Sequence, residues 1–107
     1  MNARAAESFH PPWARPMWYD SQSIYLEMPV VNSHPIIMQF DWTDGGLNKA
    51  LKTMRSIAEE HPDYRGTNNW SRDHDVIKRF SRAKPTPKIT ERSREIARAV
   101  LKRMLGK

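Results

Sequence analysis

The chain has 107 residues, 38% of them hydrophobic and 28% charged, with 18 Lys and Arg against 12 Asp and Glu for a formal net charge of +6. It holds no cysteine, which excludes a disulfide framework, a thiolate zinc site, an iron–sulfur cluster and a cysteine nucleophile together. This length accommodates one small domain with tails, and its thin core leaves room for a partner or a homodimer interface to carry part of the stability.

The charge is unevenly placed. Arg72, Lys78, Arg79, Arg82, Lys84, Lys88, Arg92, Arg94, Arg98, Lys102, Arg103 and Lys107 face only Asp73, Asp75, Glu91 and Glu95, so residues 71–107 carry +8. Residues 1–70 hold six bases and eight acids. Such asymmetry predicts contact with a polyanion or an acidic protein surface and says nothing about fold. No apolar run reaches the roughly 18–20 residues of a membrane span. The opening MNARAAESFHPPWARP lacks the apolar stretch of a secretory signal. A cytoplasmic protein without a membrane partner is expected.

Residues 1–22 read as an extended arm, because Pro11, Pro12 and Pro16 remove backbone donors and push their predecessors to extended geometry. Phe9, Trp13, Met17, Trp18 and Tyr19 make this arm rich in large apolar side chains. Either it roofs its own core or it docks on a partner through Trp13 and Trp18.

Residues 23–42 predict a β-hairpin. Ile24, Leu26 and Met28 alternate with Ser23, Tyr25 and Glu27, and Ile36, Met38, Phe40 and Trp42 share one face, which is the half-buried strand signal. Pro29 and Pro35 bound a wide turn between the two strands. Leu47, Ala50, Leu51, Met54, Ile57 and Ala58 then form one helical stripe, capped by Thr43 or Asp44 and stopped at His61-Pro62. Gly45-Gly46 reads as a turn rather than a phosphate loop, since no phosphate-binding lysine accompanies it.

After a polar loop containing Tyr64 and Trp70, a short helix is expected over 73–82, capped by Asp73, with Val76, Ile77 and Phe80 inward. Lys84-Pro85-Thr86-Pro87-Lys88 reads as a stiff extended spacer. A last helix runs from a Thr90 cap to about Leu105, with Ile96, Ala97, Val100, Leu101, Met104 and Leu105 as its stripe and Gly106 beyond its end. The units are an arm (1–22), a hairpin–helix core with a short helix (23–83) and a basic C-terminal helix (84–107). The fold class is α+β: a small single domain whose two-stranded antiparallel hairpin packs on an amphipathic helix, with two further C-terminal helices.

Arg94, Arg98 and Lys102 stand at i, i+4 and i+8 on the last helix, one basic row that can track phosphates as positioning contacts. A solvated helix face would show the same spacing, and helix C-termini favour cations through the dipole alone. Arg79, Arg82 and Lys88 extend the candidate binding set. Of the aromatic residues near them, Phe80 shares a face with Val76 and Ile77, which leaves Trp70 as a possible base platform. Asp73-His74-Asp75 places a carboxylate beside an imidazole, but adjacent helical residues diverge. The four histidines stand in no metal-ligand spacing. No nucleophile elbow or paired carboxylates occur, so the expected catalytic residues, metal sites and cofactors are none.

These observations predict a small basic non-enzymatic protein that binds nucleic acid or a nucleoprotein assembly through its C-terminal third. The rival is a phage- or mobile-element-type inhibitor or adaptor that docks on an acidic surface of a larger complex.

Overall fold

A computed structural model describes residues 16–64, 66 and 72–105. In chain order it contains β1 (Met17–Tyr19), β2 (Ser23–Met28), β3 (Ile36–Asp41), α1 (Asp44–Glu60), α2 (Arg72–Arg82) and α3 (Glu91–Met104). This is the α+β class expected. The sheet, however, has three antiparallel strands in the order β1-β2-β3, which corrects the expected two-stranded hairpin.

The added strand comes from the end of the arm. Met17 pairs with Leu26, Trp18 with Tyr25 and Tyr19 with Ile24. Pro16 stands just before the strand, and its carbonyl accepts the Glu27 N–H at 3.2 Å. The missing proline donor therefore costs no ladder bond. Three residues are too few for period-two alternation to stand out, so the segment reads as irregular. Trp13 and the other arm residues before Pro16 lie outside the described residues, as do Trp70, Gly106 and the side chain of Asp73; α2 already includes Arg72, so Asp73 stands inside the helix and not at the cap expected for it.

Register sorts the side chains. Met17, Leu26 and Met38 form one row across the sheet, and Tyr19, Ile24 and Phe40 form the next on the same face. That face carries the core, because α1 packs on β2 and β3 while α2 packs on β1 and α3. Trp18 and Tyr25 point to the opposite face and stack, with centroids 5.8 Å apart at 20°. The β2–β3 turn places Asn32 at φ 58°, a left-handed conformation that asparagine tolerates better than most residues.

α1 starts as the sequence indicates: the Thr43 hydroxyl accepts the Gly46 N–H at 2.9 Å. A Cβ on Gly46 would lie 1.8 Å from the Asp41 carbonyl oxygen, so only glycine lets the helix start this close to β3. Leu47, Ala50, Met54 and Ile57 are buried with Val76, Ile77, Phe80 and Ala97. Leu51, expected in this core, is only half-buried, because its position on α1 turns it toward α3.

Rather than standing out as an extended spacer, residues 83–89 fold into a tight connection. The Thr86 hydroxyl accepts the Lys88 and Ile89 N–H groups at 3.1 and 3.0 Å, and the Thr86 N–H reaches the Ile89 carbonyl at 2.7 Å. The Lys88 carbonyl accepts the Asp44 N–H at 2.7 Å. The prolines limit the conformations this turn must lose on folding, and α3 is thereby directed back onto α2.

Candidate functional site

Val76, Ile77 and Phe80 point α2 into the core with no measurable exposure, which dictates what the rest of the helix does. Asp75, Lys78, Arg79 and Arg82, at i, i+3, i+4 and i+7, form the adjoining stripe. They face a cleft of about 600 Å³ whose other walls are Tyr19, Ser21, Trp42, Ala83 and Ile89. The β1–β2 turn, the end of β3, α2 and the 83–89 connection thus meet at one place.

The aromatic side of the cleft is fixed by hydrogen bonding and stacking. Trp42 donates its indole N–H to the Asp20 carbonyl at 2.9 Å. Its ring stacks on buried Phe80, with centroids 4.7 Å apart, and meets Tyr19 edge-on at 5.6 Å. Asp20 organises the turn beneath: its carboxylate accepts the Gln22 and Ser23 N–H groups at 2.8 and 2.9 Å and the Tyr25 hydroxyl at 2.6 Å. The Tyr25 hydrogen bond foremost, then those backbone donors, hold the Asp20 carboxyl below its ordinary range. The same contact raises the Tyr25 hydroxyl.

Arg79 lies over this aromatic floor. Its guanidinium carbon is 4.6 Å from the Tyr19 ring centroid and 5.2 Å from that of Trp42. Ring quadrupoles attract the cation, and stacking of this kind leaves the in-plane N–H fork able to grip a phosphate or carboxylate. No side-chain hydrogen bond or ion pair engages Lys78, Arg79 or Arg82 among the described residues. The three cations outnumber the one lining carboxylate, Asp75, so the cleft is net positive and favours an anion.

The other predicted binding residues do not share the cleft. Lys88 is exposed on the connection, where its backbone serves α1. Arg94 and Arg98 turn inward to the C-terminal end of α2, sending Nε and Nη1 to the Ser81 carbonyl at 3.4 and 3.2 Å. Both also pair with Glu91, at 2.6 and 3.2 Å. Of the row on α3, Lys102 stands exposed, without such contacts among the described residues. Trp18 lies on the sheet face away from Tyr19. The structure therefore brings Arg79 and Arg82 together with Lys78, Tyr19 and Trp42. Bases at i, i+1 and i+4 (Lys78, Arg79 and Arg82) flanking an apolar stripe were the available signal for Lys78, whereas nothing local marks Tyr19 or Trp42.

His74 and Asp75 approach only to 3.7 Å and both are exposed, too far for a hydrogen bond. Among the described residues no three His, Cys, Asp or Glu side chains gather as metal ligands, and no helix is long and apolar enough to cross a membrane. No protein-family model matches the chain, and no curated protein or solved structure matches it with significance.

Proposed function

We propose that this is a small, basic, non-enzymatic protein that binds nucleic acid, alone or within a nucleoprotein assembly, through its C-terminal third. The observation that carries this reading is the grouping of Lys78, Arg79 and Arg82 on one cleft, without ion-paired carboxylates among the described residues and with Arg79 pre-positioned over Tyr19 and Trp42. Lys88 and Lys102 add exposed charge along the same third. Phosphate contacts made by such cations release condensed counterions, so binding should weaken steeply as salt rises. Titration of fluorescent DNA and RNA across salt tests it. Arg82→Gln and Lys78→Gln should each lower the slope of log K against log salt by about 0.7–0.9 while the fold persists. A slope unchanged in both variants would reject these cations as phosphate contacts.

A second reading, docking on an acidic protein surface, is favoured by a different feature. Leu51, Ile96 and Val100 line a cavity of about 200 Å³ between α1 and α3, rimmed by Asn48, Lys52, Arg55 and Arg103. Apolar anchors inside a basic rim suit an acidic amphipathic segment. That complex would be stoichiometric and outlast moderate salt. Affinity capture from cell lysate with and without nuclease separates the two: nuclease should abolish recovery in the first reading and leave it intact in the second.

A further inference from the structure

The shape of the cleft says more than its charge. Extended phosphate-tracking surfaces are open, because a duplex presents phosphates on a convex cylinder with its bases stacked inside. Here the cations line a cleft of about 600 Å³ that is open to solvent yet walled by Tyr19, Trp42 and Ile89, a volume within the ~300–1,000 Å³ range of small-ligand sites. A duplex could offer this cleft only a phosphate edge. A single strand can offer a phosphate together with an unstacked base.

The walls match those two parts. Arg79, Arg82 and Lys78 supply donors for the phosphate. Ile89 and Tyr19 supply apolar surface, and Arg79 is exposed although its guanidinium lies over Tyr19, leaving a planar surface on which a base can stack. Asp75, the lining carboxylate, is an acceptor suited to an amino group on a base edge rather than to a second phosphate. The floor is rigid: Trp42 is held by the Asp20 carbonyl and by Phe80, so little ordering entropy opposes binding.

We infer that the cleft admits one nucleotide of a single strand, phosphate and base together, and that the protein thereby prefers single-stranded nucleic acid to duplex. This rests on the nucleic-acid reading above and names the form of its ligand. Exposed Lys88, next in the chain to the lining Ile89, is the base available to an adjacent phosphate.

The test uses the full chain, a labelled single strand of about ten nucleotides, a hairpin duplex with the same number of phosphates, and a free nucleoside monophosphate. Affinity is read by anisotropy at fixed salt, and the site by the indole N–H resonance of Trp42 in a ¹⁵N-labelled sample. The strand should bind about tenfold more tightly than the duplex and shift the Trp42 resonance, and Arg82→Gln should weaken the strand about tenfold. Among the described residues no hydrogen bond or ion pair engages the Arg82 side chain, so its replacement should not unfold the chain. Lys78→Gln provides a second such variant.

Equal affinity for strand and duplex, with both weakened by Arg82→Gln, would overturn the single-strand preference and leave the nucleic-acid reading standing. Strand binding that neither variant weakens and that leaves the Trp42 resonance unmoved would remove the cleft as the site. A monophosphate that binds as tightly as the strand would make this a mononucleotide site instead. Failure of the folded protein to bind any of the three would overturn the nucleic-acid reading itself.

Discussion

Asp44 and Thr90, 46 residues apart, join the first turn of α1 to the start of α3. The Thr90 N–H and hydroxyl reach the two Asp44 carboxylate oxygens at 2.9 and 2.6 Å, while the Thr90 hydroxyl also accepts the Ser93 N–H at 3.3 Å. One threonine thus caps its own helix and fastens it to another. Partial burial works against ionisation of Asp44, but hydrogen bonds from the Thr90 hydroxyl and N–H, with Ser93, outweigh it and hold the carboxyl below its ordinary value of 3.8.

Thr90→Val removes the cap and one of the two bonds to Asp44. It should cost about 1–2 kcal/mol at neutral pH, measured by urea denaturation. The carboxyl's folded value is the lower one, so its contribution is complete above the unfolded value of 3.8 and is lost as pH falls through the folded value. The difference between wild type and Asp44→Asn should therefore shrink below about pH 4. A constant difference down to pH 2 would show that ionisation of Asp44 does not contribute.

Glu27 is 1% exposed, and its Oε2 accepts the Tyr64 hydroxyl at 2.5 Å. Desolvation first, then the carboxylate, raise the Tyr64 hydroxyl far above its ordinary 10.0. Tyr64→Phe keeps the ring and removes one hydrogen bond from a buried charge, so it should destabilise the fold by about 1–3 kcal/mol. Equal stability of Tyr64→Phe and wild type would show the bond contributes nothing net.

Arg94 and Arg98 meet the Ser81 carbonyl at the C-terminal end of α2, where a cation also complements the helix dipole. Replacing both with Gln should lower stability by about 1 kcal/mol, discounted because their Glu91 partner is exposed. Nucleic-acid affinity at a temperature where both proteins are folded should change less than in Arg82→Gln. The reverse ranking would restore the α3 row as the principal contact.

Within α1 the two apolar positions 51 and 54 should separate. Met54→Ala opens a cavity in the closed core and should cost about 2–5 kcal/mol. Leu51→Ala, half-buried beside Ile96 and Val100, should cost well below that and should weaken any complex that uses the α1–α3 cavity. Similar losses of melting temperature would place Leu51 in the core after all.

The local chemistry of the chain determined much of this molecule on its own. Period-two alternation placed β2 and β3, the 3.6-residue stripe placed α1, and Val76, Ile77 and Phe80 set which face of α2 turns inward. Thr43 and Thr90 marked two helix starts, because capping is decided within three residues of the cap. Short-range signals end there. β1 is three residues long and becomes a strand only because β2 offers it an edge. Glu27 reads as a solvent-facing position in an alternating strand, yet Tyr64 takes its carboxylate out of water.

The candidate site divides in the same way. Arg79 and Arg82 are legible as bases flanking a core stripe, and Arg94 and Arg98 are equally legible as a row. Helical spacing cannot say that the row reaches Ser81 while Lys78, Arg79 and Arg82 stay without ion pairs among the described residues, since both outcomes fit one pattern of charges. Only the tertiary structure decides it, by setting Tyr19 and Trp42 beneath Arg79 and by bringing α3 against the end of α2. Which charges are consumed by the fold and which are left for a partner depends on neighbours distant in sequence, because electrostatic pairing is fixed by distances of a few ångströms in space.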